Sequence, residues 1–123
     1  MSTKIITADD SKMVRTVIKN ALKPLECEVL DAENGVEACD LVAKHKPSLL
    51  LLDVTMPDMN GFEVLERLRS DSEFKNLPVL MLTAESGDTS VERAHKLGVN
   101  GFVAKPFKPD QLLDKVKSLL SAA

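Results

Sequence analysis

The sequence predicts a doubly wound α/β domain, with a five-stranded parallel sheet and helices on both faces. Short apolar runs of strand length alternate with stretches of helical period along the whole chain. The run from Leu49 to Leu52 is apolar at every position, which is typical of a strand covered on both faces. Parallel neighbours need crossover connections, which the helical stretches supply. A chain of 123 residues suits one domain, so we expect residues 1–123 to form a single domain without an effector domain.

Five apolar runs are predicted to be strands, each close to the usual length of about five or six residues. In chain order they are Lys4 to Ala8, Glu28 to Ala32, Leu49 to Asp53, Val79 to Thr83 and Gly101 to Ala104. The third run should form the central strand, because helices must cover both of its apolar faces.

Apolar residues spaced three and four apart predict the first three helices. The first ends near Pro24, and the second runs roughly from Val36 to Lys46, before Pro47. The inward residues are predicted to be Val14, Val17, Ile18, Ala21 and Leu22 in the first helix, Ala38, Leu41 and Val42 in the second, and Val64, Leu65 and Leu68 in the third.

The last two helices differ in their apolar faces. The fifth runs from Asp110 to about Leu120, and its apolar side comprises Leu112, Leu113, Val116, Leu119 and Leu120. The fourth, between Thr89 and Leu97, offers only Val91, Ala94 and Leu97. The stretch from Glu85 to Ser90 is predicted to be a polar loop. A thinly anchored helix beside such a loop indicates a mobile part that would suit a switch.

Composition excludes several classes of protein. Sixteen Lys and Arg against nineteen Asp and Glu give a net charge of -3, the wrong sign for a general nucleic-acid binder. The longest apolar runs are far shorter than the roughly 20 residues of a membrane helix. With no signal-peptide core, Cys27 and Cys39 are expected to be reduced packing residues. We expect a cytoplasmic monomer.

Three acids, a hydroxyl and an amine stand at the carboxyl ends of the predicted strands. Asp9 and Asp10 follow the first strand, Asp53 ends the third, Thr83 ends the fourth, and Lys105 follows the fifth. Each has an ordinary explanation when taken singly, such as a helix cap, a turn or a solvated charge. Together they indicate a site, because ligands of doubly wound sheets bind beyond this edge.

Crowded carboxylates at this edge indicate a bound cation. They repel one another, which raises their pKa values and costs stability unless a cation neutralises them. Oxygen ligands favour Mg²⁺, since His45 and His95 lie on helices away from the edge. Beside Mg²⁺, Asp53 can attack a phosphoryl group to form an acyl phosphate, while Lys105 and Thr83 bind the phosphoryl oxygens.

These residues resemble the receiver domain of two-component response regulators, nearest in length to the single-domain, CheY-like chemotaxis type. The resemblance covers essentially the whole chain. It rests, in order, on Asp9-Asp10, the stretch from Asp53 to Gly61, Thr83-Ala84 and Lys105-Pro106-Phe107. It implies a flavodoxin-like strand order of 2-1-3-4-5, a single receiver domain and a cis peptide at Lys105-Pro106. Gly61 itself is interpreted as a turn residue with positive φ.

The resemblance implies a phosphoacceptor function. Asp53 would accept the phosphoryl group from a phosphohistidine of a sensor histidine kinase or a histidine phosphotransfer protein. The Mg²⁺ ligands would be Asp9, Asp10, Asp53 and the backbone carbonyl of Thr55.

The resemblance also implies a switch and its surfaces. Thr83 would move toward the phosphate and Phe102 would turn inward behind it, changing the surface of the fourth helix, fifth strand and fifth helix. Thr55 and Glu85 would tune how fast water attacks the acyl phosphate. Met13 and the exposed side of the first helix would form a kinase-docking patch.

Other functions remain open from the sequence. A Mg²⁺-dependent phosphohydrolase with an aspartyl nucleophile is disfavoured because Thr55, not a second acid, stands two residues after Asp53. The acid triad argues against a non-phosphorylated interaction domain, and the lack of a hydroxyl-rich loop after the first strand argues against a flavin-binding relative. Among signalling roles, motor control, phosphorelay carrier and phosphate sink stay open.

Overall fold

The centre of the molecule is a parallel sheet. The computed structural model describes residues 3–83 and 88–122, except the side chains of residues 88–91 and 122. Its strands are β1 (Lys4–Ala8), β2 (Glu28–Ala32), β3 (Leu49–Asp53), β4 (Val79–Thr83) and β5 (Gly101–Ala104). They lie in the order β2-β1-β3-β4-β5, and each neighbouring pair is parallel. The predicted strands, the central place of β3 and the implied strand order are confirmed.

Helices cover both faces of this sheet. They are α1 (Lys12–Ala21), α2 (Gly35–His45), α3 (Gly61–Arg69), α4 (Asp88–Lys96) and α5 (Pro109–Ala122). After α1, a 3₁₀ turn at Lys23–Leu25 contains Pro24. The longest of these helices has 14 residues, and within the described ranges none has the length and apolarity needed to cross a bilayer.

Side-chain caps place the first turns of three helices at the carboxyl edge of the sheet. The Ser11 hydroxyl accepts from the Val14 N–H at the start of α1, and the Asn34 side chain accepts from the Glu37 N–H at the start of α2. At α3, Asn60 and Glu63 each accept from the other's backbone N–H, forming a capping box. These caps set the residues at which the helices that follow β1, β2 and β3 begin.

Two apolar cores lie on opposite faces of the sheet. Ile6, Leu50, Leu52 and Met81 pack with residues of α2, α3 and α4. Residues on the other face pack with α1 and α5; they include Ile5, Leu49, Leu51, Leu80 and Leu82. The predicted coverage of β3 on both faces is confirmed, because Leu49 to Leu52 are all 0% exposed.

The inward face of α1 differs from the predicted stripe. Val17 is 38% exposed, whereas Arg15 is buried together with Ile18 and Ala21. Arg15 can be buried because the Asp9 carbonyl and the Asp31 carboxylate accept from its guanidinium. In α2, Ala38 and Val42 are buried as predicted, while Leu41 is partly exposed.

The polar loop predicted from Glu85 to Ser90 is wrong in its second half, because α4 begins at Asp88. Asp, Thr and Ser side chains favour the first turn of a helix as well as loops. Glu85, Ser86 and Gly87 lie outside the described residues.

Arg69, at the end of α3, anchors the connection between α4 and β5. Its guanidinium donates to the carbonyl of Gly98, with Nη2 at 2.8 Å, and to the Asn100 side-chain oxygen at 3.0 Å. It also donates to the carbonyl of Phe74. The C-terminal end of α4 is thereby attached to α3.

Candidate functional site

Three carboxylates meet at the carboxyl edge of the sheet. One oxygen from each of Asp9, Asp10 and Asp53 lies within 4.8 Å of the other two. Pairing of Ala8 with Leu52 brings the ends of β1 and β3 side by side, so the residues that follow are neighbours. Asp9 is 1% and Asp53 5% exposed, whereas Asp10 is exposed. The predicted grouping of these acids is confirmed.

Lys105 lies between two of these acids. Its ammonium is 2.7 Å from Asp9 Oδ2 and 3.2 Å from Asp53 Oδ1. Its backbone N–H donates to the Thr83 carbonyl at 2.7 Å, and the Lys105-Pro106 peptide is cis, as the resemblance implied. The lysine therefore serves as a counter-ion for both buried acids.

Burial and charge set the protonation of this pair. Burial, and then the charge of Asp9, raise the pKa of Asp53 more than Lys105 and the Thr55 backbone N–H lower it. Burial alone would lower the pKa of Lys105, but its bonds and charge interactions with Asp9 and Asp53 outweigh burial and leave the pKa raised. Lys105 is accordingly charged at neutral pH, and ionised Asp53 destabilises the metal-free fold.

Ionisation of Asp53 is expected to lower the stability of the metal-free protein as pH rises above about 4, the ordinary pKa of aspartate. Because the pKa of Asp53 is raised in the folded protein, folded Asp53 keeps a proton that the unfolded chain has already released. Its contribution to the free energy of unfolding is therefore fully present below the unfolded pKa and is lost as pH rises through the folded pKa. In Asp53→Asn this loss is absent. The Tm of Asp53→Asn minus the Tm of the wild type should therefore increase toward about pH 7 in thermal melts with EDTA. A difference that does not change with pH would contradict a raised pKa of Asp53.

The other predicted site residues differ in their burial and in their position relative to the acid cluster. Thr83 is buried at the end of β4, and Phe102 on β5 packs partly buried against the core beneath α2, α3 and α4. The Thr55 side chain is exposed. Ala84 and Glu85 lie outside the described residues. His45, at the end of α2, and exposed His95, on α4, lie outside the acid cluster.

Gly61 is needed for close approach, and its predicted positive φ is wrong. It is the first residue of α3; within that loop the positive φ, 69°, belongs to Asp58. A Cβ at Gly61 would lie 2.3 Å from the Asp53 carbonyl oxygen and 2.9 Å from Val54 Cα. Its N–H donates to the Val54 carbonyl at 2.8 Å. The absence of a side chain lets α3 begin directly against the segment that carries Asp53.

Beside Lys105, an apolar cavity of about 370 Å³ opens between α1 and the loop that joins β5 to α5. It is lined by Met13, Val14, Val17, Lys105, Pro106 and Phe107. Met13 is 76% exposed, so the exposed apolar side of α1 adjoins the acid site.

Sequence reasoning missed Arg15. Its guanidinium donates to the backbone carbonyl of Asp9 at 2.6 Å and to Asp31 Oδ2 at 3.0 Å. A signal was present, because Arg15 shares the spacing of three and seven residues with buried Ile18 and Leu22.

The fold and this edge define a doubly wound α/β domain with an acid cluster and a lysine where ligands of such sheets bind. The profile of the response regulator receiver domain matches residues 5–117. The chain belongs to that family.

Relatives and solved structures agree with this assignment. The chain is 44% identical to chemotaxis protein CheY1 of Helicobacter pylori over 95% of this chain and 96% of that one. It is 40% identical to the CheY homologue of Campylobacter jejuni over 95% and 92% of the two chains. The structure of chemotaxis response regulator CheY4 of Vibrio cholerae superposes with a TM-score of 0.90 at 32% identity, covering 97% of this chain and 99% of that one.

Family membership establishes the class of function. The chain is a phosphoacceptor response regulator of two-component signalling. The phosphohydrolase alternative is not favoured by these comparisons.

Proposed function

We propose that Asp53 is the phosphoacceptor and that Mg²⁺ bound among Asp9, Asp10 and Asp53 supports the transfer. The observation that carries this proposal is the convergence of three carboxylates within 4.8 Å, with Lys105 bonded to two of them. The donor set fits Mg²⁺, because it consists of hard oxygen ligands and includes an exposed acid beside solvent.

Asp53 is the proposed nucleophile because it ends the central strand, where ligands of doubly wound sheets bind. It accepts from Lys105 and from the Thr55 N–H, and neighbouring Asp9 accepts from the Ser11 N–H at 2.9 Å and from Lys105 at 2.7 Å. In the reaction, an Asp53 oxygen bonds to phosphorus while the P–N bond of phosphohistidine breaks, and the imidazole leaves with the electron pair and takes up a proton.

The remaining residues assist by charge and position. Bound Mg²⁺ would neutralise developing charge on the phosphoryl oxygens, with Asp9, Asp10, Asp53 and the Thr55 carbonyl as its protein ligands. Lys105 pairs with one phosphoryl oxygen, and the Thr83 hydroxyl donates to another. Thr55 and Glu85 tune the attack of water that later removes the phosphate.

The output is a shift in population between two conformations that differ in one surface of the protein. Phosphate stabilises the state with Thr83 inward, and Phe102 follows into the space behind it, which changes the face formed by α4, β5 and α5. The partly buried setting of Phe102 supports this role. Donors are a sensor histidine kinase or a histidine phosphotransfer protein in the cytoplasm, and exposed Met13 lies on the docking side. The likeness to chemotaxis proteins supports motor control as the output.

The test is incorporation of phosphate from phosphoramidate, measured by intact mass. The wild type is expected to gain one base-labile phosphoryl group with Mg²⁺ and none in EDTA. Asp10→Ala removes a proposed ligand from the exposed side, so incorporation at millimolar Mg²⁺ should fall by about tenfold or more. Asp40→Ala, an exposed acid on α2, serves as the matched control. Equal incorporation in EDTA would contradict the metal requirement.

A further inference from the structure

Arg15 is a buried cation that joins the acid loop to the end of β2. The residue is 6% exposed. Nη1 donates to the Asp9 carbonyl at 2.6 Å, Nε donates to Asp31 Oδ2 at 3.0 Å, and Nη2 lies 3.7 Å from Glu33 Oε1. The planar guanidinium thus joins the loop after β1 to strand β2 in one fixed arrangement, which an ammonium could not reproduce.

The bond to the Asp9 carbonyl fixes the peptide from which Asp10 extends. Asp9 is held through its N–H, which donates to the Ala32 carbonyl at 3.0 Å, and through its side chain, which accepts from the Ser11 N–H. Exposed Asp10 gains its position relative to Asp53 from the peptide plane that Arg15 orients.

The geometry points to Arg15 as a positioning residue for the metal site: its guanidinium holds the Asp9–Asp10 peptide so that the carboxylates converge. This inference rests on the proposed Mg²⁺ site. Groups that orient metal ligands in this way typically contribute about 10- to 100-fold to metal affinity.

Replacing Arg15 is expected to change Mg²⁺ affinity through two opposing effects, one of charge and one of position. Removing a cation near an acid cluster strengthens Mg²⁺ binding electrostatically, whereas releasing the Asp9–Asp10 peptide weakens it. Lys19 offers a matched control on the same helix, because its ammonium is 2.5 Å from Asp31 Oδ1 and its side chain is 46% exposed. Replacing Lys19 removes the same charge from the same carboxylate and leaves the Arg15 bond to Asp9 intact.

The experiment measures Mg²⁺ affinity by calorimetry for wild type, Arg15→Met and Lys19→Met, with folding checked by circular dichroism. Arg15→Met should bind Mg²⁺ about 10- to 100-fold more weakly than wild type, and Lys19→Met should match the wild type or bind slightly more tightly. The Mg²⁺ concentration for half-maximal phosphorylation should rise in Arg15→Met, while the rate at saturating Mg²⁺ changes much less.

Unchanged or tighter Mg²⁺ binding in folded Arg15→Met would overturn the inference. If that variant does not fold, Arg15→Lys keeps the charge and most of the stem but lacks the guanidinium fork, and the same weakening is expected to a smaller degree. Wild-type affinity in Arg15→Lys would then overturn it. A wild type that binds no Mg²⁺ contradicts the proposed function itself, so the two failures are distinguishable.

Discussion

Asp53→Asn is expected to abolish phosphorylation by phosphoramidate. The amide nitrogen lone pair is delocalised and the amide oxygen carries no full charge, so neither atom attacks phosphorus as a carboxylate does. Because Asp53 is 5% exposed and ends the central strand, the near-isosteric change should leave β3 in place. Intact mass after incubation with Mg²⁺ should show one added phosphoryl group on the wild type and none on the variant.

The control for this result is Asp40→Asn, which makes the same chemical change at an exposed site on α2. It should be phosphorylated at the wild-type rate. One base-labile phosphate on a folded Asp53→Asn variant would place the acceptor on another acid, with Asp9 and Asp10 the first candidates. Base lability matters because it separates an acyl phosphate from a phosphate ester on Ser or Thr.

Gly61→Ala is expected to lower both stability and phosphorylation rate. The new Cβ would meet the Asp53 carbonyl oxygen at 2.3 Å and Val54 Cα at 2.9 Å. Both are backbone atoms, so relief requires a shift of α3 or of the Asp53 segment. Overpacking of this kind costs about 1–3 kcal/mol of unfolding free energy or more, and any shift of Asp53 also disturbs its contact with Lys105.

Urea unfolding and the rate of phosphate incorporation measure these two effects. Glu66→Ala is the matched control, because it places alanine at an exposed position of the same helix. Its unfolding free energy should stay within about 0.5 kcal/mol of the wild type. If Gly61→Ala were as stable and as active as Glu66→Ala, the close approach of α3 to the Asp53 segment would not matter in solution.

The sequence predicted the strands and the acid cluster well, and it failed where a residue's role depends on its neighbours in space. The all-apolar run of β3 can only be buried on both faces, so its central place followed from pattern alone. Asp9 and Asp53 followed because parallel strands end at the same edge. By contrast, the spacing of Arg15 shows only that it lies on the inward side of α1, whereas the acceptors that allow its burial come from Asp9, which follows β1, and from Asp31 on β2.

Gly61 is a second residue whose role depends on its neighbours in space. A glycine after Asn60 fits a turn that requires positive φ, but the constraint in the folded chain is the backbone of Asp53 facing its Cα. Val17 has an apolar side chain at helical spacing, yet it faces the cavity beside Lys105 and remains partly exposed. Spacing along one helix identifies an apolar side, but the neighbouring elements decide which of its residues are covered.

The attachment of α4 to α3 through Arg69 limits the kind of motion that helix can make. With its C-terminal end held at Gly98 and Asn100, α4 cannot translate as a rigid rod without breaking those bonds. A displacement that starts beside Thr83 is therefore expected to rotate α4 about its C-terminal end, which Arg69 holds in place. The first turns of the helix would travel farthest, so a binding partner would sense phosphorylation mainly as a change in helix angle.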